Sequence, residues 1–299
     1  MRRLKLAVLS GALLGPSSSV RAQDQNGLSY NAKQLDCTQF VETAESHILT
    51  QSGRHEREQR SGRRGVWRFR AQPAKDGVAL EGWLDSLTLW RRSAETTIRP
   101  DTDGLIGGRY RGVLSRSGIY SGRTQPFVPD EVAEVAGMAT ALDDLFPRLP
   151  SGTLRTGEEW QDSPGLKIRR MPDSALSGVP LYRFALEESR ENRSAATERD
   201  TIALKQVMRE RGMFYWHPQA GMIARERTIV IETSVPASRT VGPAVRSRIE
   251  QRISLQRDLR VPPTDCSDPV KPAGARLRTN GTDTDLSSAT AVVPAGPDR

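Results

Sequence analysis

The stretch Val245–Leu259, VRSRIEQRISLQRDL, decides the fold class of this chain. Every even position from Arg246 to Asp258 is polar, whereas the odd positions carry most of the apolar side chains: Val245, Ile249, Ile253, Leu255 and Leu259. This alternation predicts a β-strand with one wet and one dry face, about 50 Å long at about 3.3 Å per residue. A helix is disfavoured, because its arginines would lie all around the cylinder.

Other segments of the chain repeat the same period of two. Trp67–Ala71 and Tyr182–Glu187 each alternate apolar with polar or small side chains, and Ile229, Ile231, Thr233 and Val235 share one face of a strand. Met213–Ile223 reads as a hairpin, in which Pro218 and Gly221 supply the turn. Together these strands predict a large antiparallel sheet.

One segment has helical spacing instead. From Asp130 to Leu145 the apolar residues fall three or four apart, and Pro129 and Pro147 flank the segment. The sequence therefore predicts one α-helix over about 130–146. The expected fold is mainly β (α+β), with a large curved antiparallel sheet or half-barrel around that central helix. Strands at about 37–120 and about 165–260 would form a single curved layer.

The two ends of the chain differ from its middle. Arg2, Arg3 and Lys5 precede a short apolar run and a small-x-small site ending at Ala22, which predicts a signal peptide over 1–22 and a periplasmic or secreted protein. The competing interpretation, a short membrane anchor, is disfavoured because the run falls short of the roughly 18 residues a span needs. A flexible arm is expected over 23–36, a single β-rich domain over 37–266 and a disordered tail over 267–299.

Charge does not indicate a nucleic-acid partner. The formal net charge is +8, and loss of the four basic residues of the leader leaves 40 basic against 36 acidic residues, or +4. The stretch Arg54–Arg70 holds seven arginines, but its aromatic residues Trp67 and Phe69 alternate inward. An anionic envelope polymer or a lipid headgroup suits this stretch better than a nucleic acid, and a solvated loop is the simpler interpretation.

Motifs of catalysis and of metal binding are absent from the sequence. The three histidines, His47, His55 and His217, lie far apart, and none has a second histidine or a cysteine three or four residues away. The chain has no G-x-S-x-G, no S-x-x-K and no phosphate-binding loop. We therefore expect no catalytic residue, no metal and no cofactor.

The two cysteines, Cys37 and Cys266, lie at the opposite ends of the predicted sheet. In an exported chain they are free to oxidise. If the sheet brings its ends together, a disulfide between them would close a loop of 229 residues, worth about 5 kcal/mol at most in the chain-entropy model. Two buried free thiols are the alternative.

The layout resembles that of periplasmic half-barrel proteins such as the lipoprotein carrier LolA, in which a curved antiparallel sheet wraps a helix. The run Gly157-Glu158-Glu159-Trp160 and the hairpin Phe214–Ile223 also look like features of uncharacterised secreted β proteins. The resemblance implies a non-enzymatic carrier or binding module for an apolar or amphiphilic ligand such as a lipid. It transfers no individual ligand-binding residue.

Four apolar residues are candidates for the lining of such a site: Trp83, Trp90, Met138 and Leu142. The alternative is that they only fill the core. Two other functions stay open, namely a structural or interaction protein of the envelope with a protein partner and a filled core, and a hydrolase whose site forms only in three dimensions.

Overall fold

A computed structural model describes residues 27–260 of the chain, apart from 134, 163–164, 177, 195–202 and 238–241. The predicted signal peptide, the predicted tail and Cys266 therefore lie outside the described residues. Among the described residues, no helix is long and apolar enough to cross a membrane. The helices are α1 (Ala32–Leu35) and α2 (Asp130–Ala133), and the strands are β1 (Thr38–Ser52), β2 (His55–Ala74), β3 (Gly77–Ser93), β4 (Thr97–Ile98), β5 (Tyr110–Ser115), β6 (Tyr120–Thr124), β7 (Glu159–Asp162), β8 (Leu166–Leu176), β9 (Val179–Ser194), β10 (Leu204–His217), β11 (Gly221–Val235) and β12 (Val245–Arg257).

All twelve strands belong to one antiparallel sheet, which confirms the predicted mainly β class. The strand order is β6-β5-β3-β2-β1-β12-β11-β10-β9-β8-β7, and β4 pairs with β3. The chain thus starts in the middle of the sheet, runs outward to β6, crosses to β7 and returns to the middle. There β12 pairs with β1 over thirteen residue pairs, from Phe40–Arg257 to Ser52–Val245.

The predicted central helix is wrong as a continuous helix. The described part of 130–146 contains only α2 and a 3₁₀ turn at Met138–Thr140, separated at Gly137 by a non-helical backbone (φ −73°, ψ 67°). Glycine weakens a helix interior, and Asp143 and Asp144 would stand at the unfavourable end of the helix dipole. This segment also belongs to the connection between the two sheet edges, and non-helical chain covers more distance per residue than helix does.

The connection still buries the apolar side chains that gave the helical spacing. Val132, Met138, Leu142 and Leu145 are at most 5% exposed and belong to the core on one face of the sheet. We call this connection, residues 126–150, the cover segment. We call the sheet face that carries Phe40 and Trp67 the inner face, and the opposite face the outer face.

The segment before β1 also joins the core, although a flexible arm is predicted over 23–36. Tyr30 and Leu35 are each 1% exposed, and the Tyr30 hydroxyl donates to the carbonyl of Pro147 at 3.0 Å. A capping box at Asn31 and Gln34 begins α1. The burial of two large side chains explains why this polar-looking segment packs against the cover segment.

Candidate functional site

Charged side chains form the boundary of the core on the inner face. Glu42 is 3% exposed, and its carboxylate accepts from Arg63 at 2.5 Å and from the Trp67 indole at 2.9 Å. On the other half of the sheet, Arg225 donates to Glu210 at 2.9 Å, and Arg227 lies 3.6 Å from the same carboxylate. We call these five side chains the charged belt: Glu42, Arg63, Glu210, Arg225 and Arg227.

The belt also holds the cover segment on the sheet. Arg225 donates to the carbonyls of Asp144 and Leu145 at 2.5 and 3.3 Å. On the other half, a residue outside the belt holds the segment, since the hydroxyl of Tyr110 donates to the carbonyl of Met138 at 3.0 Å. Burial, together with the neighbouring Arg227, lowers the pKa of Arg225 to about 10, so its guanidinium remains charged at neutral pH.

The long strands continue past the belt, where the core has ended. We call the inner face of this part, on β1, β12, β11 and β10, the floor. Ile48 lies opposite Ile249, Ile249 opposite Ile231, and Ile231 opposite Met208, so four apolar side chains form one row across four strands. The floor comprises Ser46, Ile48, Thr50 and Ser52; Val245, Ser247, Ile249 and Gln251; Ile229, Ile231, Thr233 and Val235; and Leu204, Gln206 and Met208.

The two faces of this sheet extension differ in charge. No floor side chain is ionisable, and all are half-buried except Ile229, which is buried. The outer positions of the same strand segments carry six charges: Lys205, Arg209, Glu232, Arg246, Arg248 and Glu250. Glu232, for example, pairs with Arg209 at 2.9 Å and with Arg248 at 2.8 Å. The outer face is therefore more highly charged than the floor, and the floor continues the apolar character of the core without a described element over it.

Several clefts lie on this extension. One of about 500 Å³ at the rim includes Leu204 and Val235 of the floor. Two clefts on the outer side have volumes of about 600 and 500 Å³, and the second is lined by the ion-paired Arg209, Glu232 and Arg248. All are within the size range of ligand sites, and the rim cleft includes floor residues of both β10 and β11.

The space beneath the cover segment is much smaller. A cavity of about 90 Å³ lies beside Tyr120, Asp143, Glu210 and Arg225. Burial, with the charge of Asp143, raises the pKa of Tyr120 to about 12, and burial with the neighbouring Asp144 raises that of Asp143. At this size the cavity cannot hold an acyl chain, since ligand sites measure about 300–1,000 Å³.

The four predicted lining residues do not converge. Met138 and Leu142 are each 1% exposed in the core. Trp83 lies on the outer face, where its indole donates to Asp85 at 2.9 Å and the Arg109 guanidinium covers the ring at 3.9 Å. Trp90 is half-buried on the outer face above Gly62, at which a Cβ atom would come within 2.5 Å of the indole. Contact of these residues with a ligand stays a prediction.

The histidines are also dispersed. His47 lies on the outer face and bonds Glu58 at 2.9 Å, His55 begins β2, and His217 ends β10. Within the described part of the chain, no three His, Cys, Asp or Glu side chains are grouped as a metal site would require.

Sequence reasoning missed both the floor and the belt. It placed Ile249 and Ile231 on dry faces, but not beyond the end of the core. The belt had a visible signal, since Glu42, Arg63 and Arg225 share the inner face with Phe40, Trp67 and Leu255. A charged residue in an inward register position indicates either a buried pair or a functional group.

Comparisons with known proteins find similarity only among solved structures. No protein-family model and no curated protein matches the chain. Among solved structures it is similar to a domain assigned to outer membrane lipoprotein sorting from Vibrio parahaemolyticus, at 9% identity and a TM-score of 0.17, over 73% of this chain and 86% of that one. A DUF1329 family protein from Desulfovibrio piger ATCC 29098 is similar at 12% identity, with the same coverages and TM-score. At these TM-scores the likeness supports no inference about a ligand.

Proposed function

We propose that this chain is a non-enzymatic binding module, exported to the periplasm or beyond, whose floor binds the apolar part of an amphiphile. The observation that carries the proposal is the difference between the two faces of the sheet extension. Six charges lie on its outer positions, whereas the floor has none and is half apolar. Burial of such a surface by a ligand is favourable by roughly 25 cal/mol per Å² of apolar area.

The dimensions of the floor suit an extended chain. Its row from Ile48 to Met208 crosses three inter-strand steps, about 14 Å at about 4.8 Å each. Along β12, the floor runs from Val245 to Gln251, about 20 Å at about 3.3 Å per residue. An acyl chain or a similar long apolar group fits this strip better than a compact ligand does.

A second candidate is an interaction protein of the envelope. It is favoured by the packed interior, in which the cavity under the cover segment measures only about 90 Å³. Within the described residues, Arg190–Ser194 of β9 pair only with β10, which leaves one backbone edge of that stretch for another chain. In this case a protein, rather than a lipid, would occupy the extension.

Substitution on neighbouring residues of β11 tests the proposal. We expect Ile231→Glu to lower the affinity for a fluorescent fatty-acid analogue at least about tenfold, because a carboxylate would have to be buried under the apolar ligand. Val230→Glu is the matched control, since Val230 lies on the outer face of the same strand. Fluorescence titration of the full-length protein gives the affinities, and circular dichroism shows whether each variant folds.

A milder variant keeps the test valid if Ile231→Glu unfolds. Ile231→Thr retains the β-branched shape and should weaken binding by a smaller factor. The proposal fails if the wild type binds no analogue and lipid extraction of protein purified from the envelope yields no co-purifying amphiphile. Equal losses in Ile231→Glu and Val230→Glu would also contradict it.

A further inference from the structure

We infer that two copies of this chain pair through one edge of the sheet extension, antiparallel and centred on Asn192, so that their sheets join. The edge consists of Arg190–Ser194, and we call it the β9 edge. Among the described strands it pairs with β10 alone, because the ladder of β8 with β9 ends at the Leu166–Glu188 pair. The inference goes beyond the proposed function, since it requires no ligand on the floor.

The backbone groups of the β9 edge that face away from β10 belong to Glu191 and Arg193. The amide of Ser189 donates to the carbonyl of Gly165 at 3.1 Å, so it faces the β8 side of the strand. Backbone groups two residues apart along a strand face the same side. Glu191 and Arg193 therefore present amides and carbonyls that no described strand pairs, a pattern that favours the addition of another strand.

The length of the β9 edge selects one antiparallel register. Gly165 occupies the place beside Ser189, and β9 ends at Ser194, so a partner strand can lie beside five residues. Pairing centred on Asn192 sets Arg190 against the partner's Ser194 and uses all five. A shift by two residues in either direction leaves three pairs within the edge, and a shift by one would set outer-facing against inner-facing side chains.

Charge selects the same register. Glu191 and Arg193 both lie on the outer face, opposite Val207 and Lys205 of β10, and their side chains are 42% and 71% exposed. With pairing centred on Asn192, each Glu191 meets the partner's Arg193, which gives two cross-strand pairs of opposite charge. The shifts by two residues would instead set Glu191 against Glu191 or Arg193 against Arg193, where like charges repel.

The edge on the other side of the sheet extension lacks this self-complementarity. Within the described residues, β3 pairs with β2 only from Gln59 onward, which leaves His55–Glu58 beside β1 alone. Glu56 and Glu58 share the outer face of this stretch, whereas Arg57 lies on the inner face. Two-fold pairing would set carboxylates against carboxylates there. Of the two edges, the β9 edge is therefore the one that fits a second copy.

The interface is short, so we expect a weak dimer. Five residues span about 17 Å at about 3.3 Å each, whereas stable complexes usually bury about 1,200–2,000 Å². Sedimentation velocity of the full-length protein over a concentration series should show a monomer–dimer equilibrium with a dissociation constant below about 1 mM. A monomer at every concentration up to about 1 mM would overturn the inference.

Charge-reversal variants test the register. Glu191→Arg and Arg193→Glu should each raise the dissociation constant of the dimer at least about tenfold, because like charges would then meet twice. An equimolar mixture of the two variants should dimerise again, since opposite charges meet at both positions. Arg209→Glu is the matched control, because Arg209 lies on the outer face of β10, pairs with Glu232 at 2.9 Å and is away from the edge. It should leave the dimer unchanged.

A proline variant tests the backbone pairing. Arg193→Pro removes an amide that faces away from β10, so it costs the single chain no hydrogen bond of that ladder. It should abolish the dimer, whereas Arg193→Ala should raise the dissociation constant only about threefold. Circular dichroism shows whether each variant folds, and the mixing experiment decides the question if Arg193→Pro does not.

The outcomes separate this inference from the proposed function. A dimer that persists in folded Arg193→Pro, or that only Ile231→Glu dissociates, lies on another surface and overturns the inference. Failure of the mixed charge variants to dimerise would exclude the register centred on Asn192. If the dimer behaves as expected while the wild type binds no amphiphile, the proposed function fails and the pairing of two copies stands.

Discussion

Replacement of Arg225 by methionine is expected to lower the free energy of unfolding by about 3–5 kcal/mol, the usual cost of breaking a buried ion pair. Arg225 and Glu210 are 7% and 6% exposed. Without Arg225, the buried Glu210 carboxylate would keep, among the described residues, only Arg227 at 3.6 Å as a cation partner. The carbonyls of Asp144 and Leu145 would lose their donor as well, so the cover segment would be released on this half of the sheet.

A matched arginine on the outer face separates this effect from a general loss of charge. Arg248 forms two ion pairs, but its side chain is 50% exposed. Arg248→Met should therefore change the free energy of unfolding by no more than about 1 kcal/mol. Chemical denaturation of both variants gives the two values. Similar values for Arg225→Met and Arg248→Met would show that the belt does not hold the cover segment.

The strands were readable from the sequence because alternation is a local property. Val245–Leu259 was predicted as one strand, and β12 occupies Val245–Arg257. The hairpin predicted over Met213–Ile223 is the β10–β11 turn, where Gly221 has a φ of 77°. The pairing of β12 with β1 was not readable, since it joins residues about 200 positions apart and depends on the path of the whole chain.

The cover segment shows where a local pattern misleads. Its apolar spacing predicted burial correctly, because Val132, Met138 and Leu142 all pack in the core. It predicted the wrong backbone, because side chains at three- and four-residue spacing can also be buried by short helical turns. Gly137 and the pair Asp143-Asp144 were the contrary signals.

The candidate site depends on register, which the sequence does not display. Trp83 and Trp90 are an odd number of residues apart, so a regular strand would place them on opposite faces. A register shift in the β2–β3 ladder, between Val66 and Trp67, puts both on the outer face. The floor likewise appears only once the pairing of β1, β12, β11 and β10 shows that Ile48, Ile249, Ile231 and Met208 form one row.

Formation of a disulfide between Cys37 and Cys266 remains a prediction. Its loss is expected to affect the free energy of unfolding about as strongly as Arg225→Met does. Reduction should lower the free energy of unfolding by about 2–5 kcal/mol, because the open chain gains conformational entropy when it unfolds. The described residues support the pairing only up to Asp258, whose amide donates to the carbonyl of Gln39 at 2.9 Å, two residues from Cys37. Cys266 lies eight positions after Asp258, and at about 3.3 Å per residue an extended connection of this length spans about 26 Å.

The measurement compares wild type and Cys37→Ser, each with and without reductant. Reductant should destabilise the wild type to the level of Cys37→Ser and should leave Cys37→Ser itself unchanged, since that variant has no partner to lose. Thiol titration of the denatured, unreduced wild type should find no free thiol. Two free thiols would instead establish that Cys37 and Cys266 are not bonded. The pairing of β1 with β12 would then join the first and last strands without a disulfide.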